Sequence, residues 1–184
     1  MATPPDFSSG AVLTAAQMNS VGLWKVGNGT LSGSSTDIVG CFSSNYDVYK
    51  AYFYELTTSA DLEIGFRMLS GTTPASTAST YSIQRLFAQA ATVGASKNTQ
   101  AYGRIGYGDS SAAFQSAYEV VFYNPFAAKY TNISAGMNYS DSTSSSLIDI
   151  NATLHIVASS YDGVQIYMPS GTITGKYVVY GLRN

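Results

Sequence analysis

The sequence predicts an all-β, jelly-roll-like antiparallel β-sandwich preceded by a short N-terminal arm. Three observations predict it. From Leu23 onward apolar and polar residues alternate with period two in short runs rich in β-branched and aromatic residues. Clusters of Gly, Ser, Thr, Asn, Asp and Pro interrupt these runs too often for crossover helices to fit between them. No repeat of 20–50 residues is present, which sets aside propellers and solenoids.

The arm spans 1–22 and the β-domain 23–184. Pro4 and Pro5 hold the start extended, and a short helix is expected over Thr14–Gly22. Thr14 can cap it with Gln17 three residues on, Leu13 and Met18 form a hydrophobic staple, and Gly22 can end it in the left-handed region. So short a helix is marginal alone. Its apolar residues Phe7, Val12, Leu13 and Met18 are therefore the candidate assembly contacts, on another subunit or across the end of their own sheet.

Strands are expected near 23–28, 36–43, 48–58, 61–69, 80–89, 99–107, 117–124, 130–139, 147–158, 163–168 and 172–182. In 61–69, Leu62, Ile64, Phe66 and Met68 share one face against Glu63, Gly65 and Arg67. In 147–158, Ile148, Ile150, Ala152, Leu154, Ile156 and Ala158 share a face against Asp149, Asn151, Thr153 and His155. The apolar sides are expected to face inward. Turns are read at 27–29, 70–74, 161–163 and 169–171, and 140–146 is a polar loop.

Composition narrows the function. Charged residues are 11% of 184, less than half the usual share of about 25%. The gap is filled by 26 Ser and 17 Thr. Nine Lys and Arg against eleven Asp and Glu give a net charge of −2, which offers no counterion-release drive toward nucleic acid. No run of about 18 apolar residues exists, so no membrane insertion is expected. The N-terminus lacks the basic and apolar stretches of a secretion signal, giving a protein made in the cytoplasm.

Few residues could carry chemistry, and no enzyme, cofactor or metal site is expected. His155 is the single imidazole, expected on the solvent face of its strand, and Asp149 is about 20 Å away along that strand. Asp61 and Glu63 stand about 7 Å apart, as an inverting glycosidase pair would, but eleven acids produce such spacings by chance. The loop from Asp141 has Ser146 and Ala152 where a calcium hand needs Gly and Glu. Gly103, Gly106 and Gly108 have no helix behind them to hold a phosphate, so a bulged or closely packed strand is the better reading. Cys41, the lone cysteine, reads as a small buried hydrophobe in an apolar strand. The 15 tyrosines are too many for the core alone, and suit wet, low-charge interfaces and sugar-facing surfaces as well as cross-strand pairing.

Three segments resemble small structural proteins of tailed bacteriophages. Residues 6–19 (DFSSGAVLTAAQMN) with 22–26 (GLWKV) follow the pattern F-x-x-G-x-x-L-T-A-A-x-M-N. Residues 41–47 (CFSSNYD) with Tyr49, and 171–175 (GTITG) with 179–184 (VYGLRN), are similar to the same group. The resemblance implies a virion component, of tail-fibre, minor structural or capsid decoration type. Its N-terminal segment would attach to the particle or to neighbouring subunits, as a homotrimer, with the β-sandwich facing outward. The expected partners are itself, other virion proteins and, as an open alternative, a host surface glycan. A capsid cement protein and a free carbohydrate-binding module are the competing readings.

Overall fold

The structure is a computed structural model and describes residues 22–89, 91–111, 113, 115–140 and 146–182. The described residues form thirteen strands in two antiparallel sheets packed as a sandwich. In chain order these are β1 (Leu23–Gly33), β2 (Ser35–Ile38), β3 (Val48–Thr58), β4 (Leu62–Ser70), β5 (Thr73–Pro74), β6 (Tyr81–Gln89) and β7 (Thr92–Gln100). There follow β8 (Gly103–Gly108), β9 (Ser116–Tyr123), β10 (Lys129–Ser140), β11 (Ser146–Ser159), β12 (Gly163–Tyr167) and β13 (Ile173–Leu182). The larger sheet has the order β1-β13-β3-β9-β10-β11-β6-β7, and the smaller runs β2-β12-β4-β5 with β8 also on β4. Successive strands repeatedly change sheet, as a jelly-roll-like connectivity requires.

The helix expected over Thr14–Gly22, apart from Gly22 itself, and the residues Phe7, Val12, Leu13 and Met18 lie outside the described residues, as does most of the loop at 140–146. Strand β1 begins at Leu23 on one edge of the large sheet.

The core forms where the central strands of the large sheet face the small one. Tyr49, Ala51 and Phe53 of β3 and Tyr118, Val120 and Phe122 of β9 meet Ile64, Phe66 and Met68 of β4 and Val164 and Ile166 of β12. Phe66 stands edge-on to both Tyr81 and Phe122, with ring centroids 5.9 and 5.7 Å apart. The face assigned to Leu62, Ile64, Phe66 and Met68 does point inward. The close-packed reading of the glycine-rich strand also holds. A Cβ on Gly103 would lie inside the contact distance of the Phe66 ring, and one on Gly108 would strike Thr58.

The tyrosines divide. Tyr49, Tyr81, Tyr118 and Tyr161 are buried; the hydroxyls of the first three bond the backbone, and that of Tyr161 bonds the His155 imidazole. That of Tyr49 accepts from Ser43 N at 2.7 Å and donates to Ser43 O at 2.8 Å. That of Tyr81 accepts from Met68 N and donates to Ala75 O, each at 2.9 Å. Tyr54, Tyr123 and Tyr130 are exposed.

Four expectations are corrected. First, β11 is inverted: Asp149, Asn151, Thr153 and His155 face the interior and Ile148, Ile150 and Ile156 face out. Second, His155 is fully buried, not on the solvent side. Its ring stacks on Tyr81 at 4.2 Å, its Nδ1–H donates to Thr80 O at 3.2 Å, and its Nε2 accepts from the Tyr161 hydroxyl at 2.7 Å. Third, the strand read at 36–43 ends at Ile38, so Cys41 is buried in the connection that follows, where burial pushes its thiol up to about 12. Fourth, the run read as 99–107 is two strands, β7 and β8, separated at 101–102. Nearly all of β7 is exposed, because it is the edge of the large sheet, so it carries no apolar alternation to be read.

Candidate functional site

The inversion of β11 creates two features at once, a polar cluster inside the sandwich and an apolar surface outside it. The register across β10, β11 and β6 fixes both. Ala135, Asn151 and Arg85 are opposite one another on the inner face, while Gly136, Ile150 and Leu86 are opposite one another on the outer face.

Inside, β8 of the small sheet lays Arg104 against Asp149. Asp149 accepts from Arg85 Nε at 2.8 Å, from Arg104 Nη2 at 3.4 Å and from Asn151 Nδ2 at 3.2 Å. Arg104 also donates through Nη1 to Glu63, whose other oxygen accepts from Gln100 at 3.4 Å. The guanidinium of Arg104 lies 4.3 Å from the Tyr107 ring centre, and that of Arg85 lies 4.1 Å from the Phe87 ring centre. Burial and the neighbouring Glu63 carboxylate push the Tyr102 phenol up to about 12. The two acids and two arginines thus neutralise one another. The gap among Glu63, Ile83, Arg85, Ser96, Asn98, Gln100 and Arg104 is about 60 Å³, enough for water and too small for an organic substrate. Glu63, once a formal partner for Asp61 in glycoside hydrolysis, is committed to Arg104 instead. Burial likewise lowers the pKa of His155, against the opposing hydrogen bond to Thr80, so the imidazole is held neutral by Tyr161 and the backbone.

Outside, two adjacent rows of small and apolar residues cross the β7 end of the large sheet. One row is Val93, Ala88 and Ile148, and the next is Ala95, Leu86, Ile150 and Gly136. Val93 is 74% exposed, Ile148 59%, and Leu86 and Ile150 53% each. Beyond these rows the surface dips into a hollow of about 220 Å³ whose lining includes Gln84, Lys97, Asn132 and Leu154. Single exposed apolar residues need no explanation, but a contiguous apolar face with polar surroundings marks a contact surface. The adjoining β7 edge is nine residues long and free of bulges and Pro, and Lys97, its one charge, is the single device on it that discourages pairing.

Sequence reasoning missed this surface. Its signal was present, since alternation in 147–158 separates two faces, but alternation alone does not say which face is inward.

At another place, the chain segments entering β3 and leaving β9 meet in a cleft of about 250 Å³ lined by Ser43, Ser44, Tyr46, Asp47, Asn124, Phe126 and Ala127.

Among the described residues no group of three His, Cys, Asp or Glu side chains could hold a metal ion, and no helix is long and apolar enough to cross a membrane. Compared with protein families, curated proteins and solved structures, the chain matches none of them.

Proposed function

We propose that this protein is a non-enzymatic structural component of a bacteriophage virion, of fibre or appendage type. It assembles, as a homotrimer, by seating the apolar residues of its arm on the outward apolar face of a neighbouring copy. The observation that carries the assembly mode is the face formed by Leu86, Val93, Ile148 and Ile150. The phage setting rests on the resemblance of residues 6–19, 41–49 and 171–184.

Reach argues for exchange between copies. Strand β11 is five strand steps from β1 in the large sheet, about 24 Å at 4.8 Å per step. From Leu23 back to Met18 the chain spans at most about 17 Å. The backbone at Met18 thus stops about 7 Å short of β11 in its own subunit, which favours docking of Phe7, Val12, Leu13 and Met18 together on a neighbouring copy. Such a contact joins unlike surfaces, and it closes into a ring when the rotation between copies permits. A surface solvated by Ser and Thr hydroxyls also avoids the like-charge field that would push symmetry mates apart.

The test is the native mass of the full-length chain by light scattering, beside Ile150→Asp and the double variant Leu13→Asp with Met18→Asp. The wild type is expected to be a trimer and both variants monomers with unchanged circular dichroism, because Ile150 is exposed. A wild-type monomer, or a trimer that survives both changes, refutes arm exchange.

A further inference from the structure

The cleft between the 43–47 and 124–127 segments has the make-up of a small carbohydrate site, and nothing in the assembly mode uses it. Its frame is rigid. Val48 and Tyr123 are paired neighbours of β3 and β9, and the backbone just beyond them is tied by Asn124 N donating to Asp47 O at 2.5 Å. Asn124 has φ 52°, a left-handed conformation that Asn tolerates better than most residues, and this reverses the chain toward Phe126. A second tie runs from Tyr161 N to Pro125 O at 3.0 Å.

The aromatic wall is held as well. The Tyr46 ring lies against the Cα of Gly181, so closely that any Cβ there would enter the ring, and it stands edge-on to Tyr49 at 5.8 Å. A glycine at 181 thus gives the ring its seat. Phe126, 38% exposed, lines the same cleft. An aromatic platform suits the C–H face of a pyranose, and the polar groups beside it suit the hydroxyls. An amide (Asn124) both donates and accepts, the Ser44 hydroxyl does the same, and the Asp47 carboxylate adds an acceptor, while the Ser43 hydroxyl is held by Asn45 N at 3.3 Å.

We propose that this cleft binds one ring of a neutral hexose or N-acetylhexosamine in a glycan. The size fits a single ring and not an extended oligosaccharide. Asp47 is the one carboxylate among the lining residues and no Lys or Arg stands with it there, which sets the cleft against acidic sugars because their carboxylates would meet it at close range. The site lies on the segments entering β3 and leaving β9, away from the apolar face on β6, β7 and β11, so it is independent of arm exchange.

The experiment is saturation-transfer NMR on the full-length protein with D-glucose, D-galactose, N-acetyl-D-glucosamine and N-acetylneuraminic acid as probes. Two variants accompany it: Phe126→Ala removes half the aromatic wall, and Ser44→Trp fills the cleft from an exposed position. The expected result is saturation of at least one neutral sugar, none of N-acetylneuraminic acid, and affinity weakened by at least about tenfold in both variants with circular dichroism unchanged. Ile150→Asp should bind sugar as the wild type does, which keeps this outcome separate from the assembly test. Silence from all three neutral sugars, equal binding of the acidic one, or affinity that survives both variants would overturn the proposal.

Discussion

Replacing Asp149 by Asn tests why a polar strand face is buried at all. The carboxylate is fully buried and is shared by Arg85 and Arg104, whose side chains are 16% and 9% exposed. With Glu63 the cluster holds two positive and two negative charges. Asp149→Asn keeps the shape but leaves two arginines facing one acid, and it weakens two charge-assisted hydrogen bonds. Breaking a buried pair from one side costs about 3–5 kcal/mol, because the remaining charge is desolvated without a partner. At a urea slope of about 2 kcal/mol per molar, the unfolding midpoint should fall by about 1.5–2.5 M. The assay is urea unfolding followed by circular dichroism, in a double-mutant cycle with Arg104→Met. Because the second change removes the surplus charge, the pair should be less destabilised than the sum of its singles. A loss below about 1 kcal/mol, or simple additivity, would refute the view that this ion cluster holds β11 with its polar side inward.

Two further outcomes follow from the packing and the buried imidazole. Gly103→Ala drives a methyl into Phe66, which Tyr81 and Phe122 hold on either side, and should cost about 1–3 kcal/mol in the same unfolding assay; a neutral result would mean the β4–β8 approach is looser than described. His155 has its folded pKa lowered by burial, so the unfolded chain binds the proton first. Its contribution is complete above the unfolded value of about 6.5 and is lost as pH falls from there through the folded value. Stability should therefore drop between neutral pH and pH 5, and His155→Gln should lose that share of the slope; an unchanged slope would place the proton elsewhere.

Much of the fold is legible in the sequence. Period-two runs between turn clusters specify an antiparallel sandwich, the alternation around Ile64 and Phe66 specifies the core face of β4, and the glycines at 103, 106 and 108 mark a strand under close packing. These are local properties, carried by residues one or two apart. Strand β7 escaped because an edge exposed on both faces needs no apolar residues to form.

The apolar contact surface was decided only by tertiary structure. Alternation shows that β11 has two unlike faces, and the usual rule sends the apolar one inward. That rule fails when the polar face finds charged and ring partners of its own, even though Asn151 Oδ1 and Arg104 Nε have no hydrogen-bond partner among the described residues. Arg104 arrives on Asp149 from β8 in the opposite sheet, Arg85 from β6 in the same sheet, and Tyr161 on His155 from beyond the strand's end. A one-residue shift of register would exchange the two faces, and only the long-range partners choose between them. The same holds for the cleft, where Asp47 and Asn124 are far apart in the chain and meet because β3 and β9 are neighbours. The sequence by itself determined that the strands would have two faces; which face meets water was determined by charges and rings supplied from distant parts of the chain.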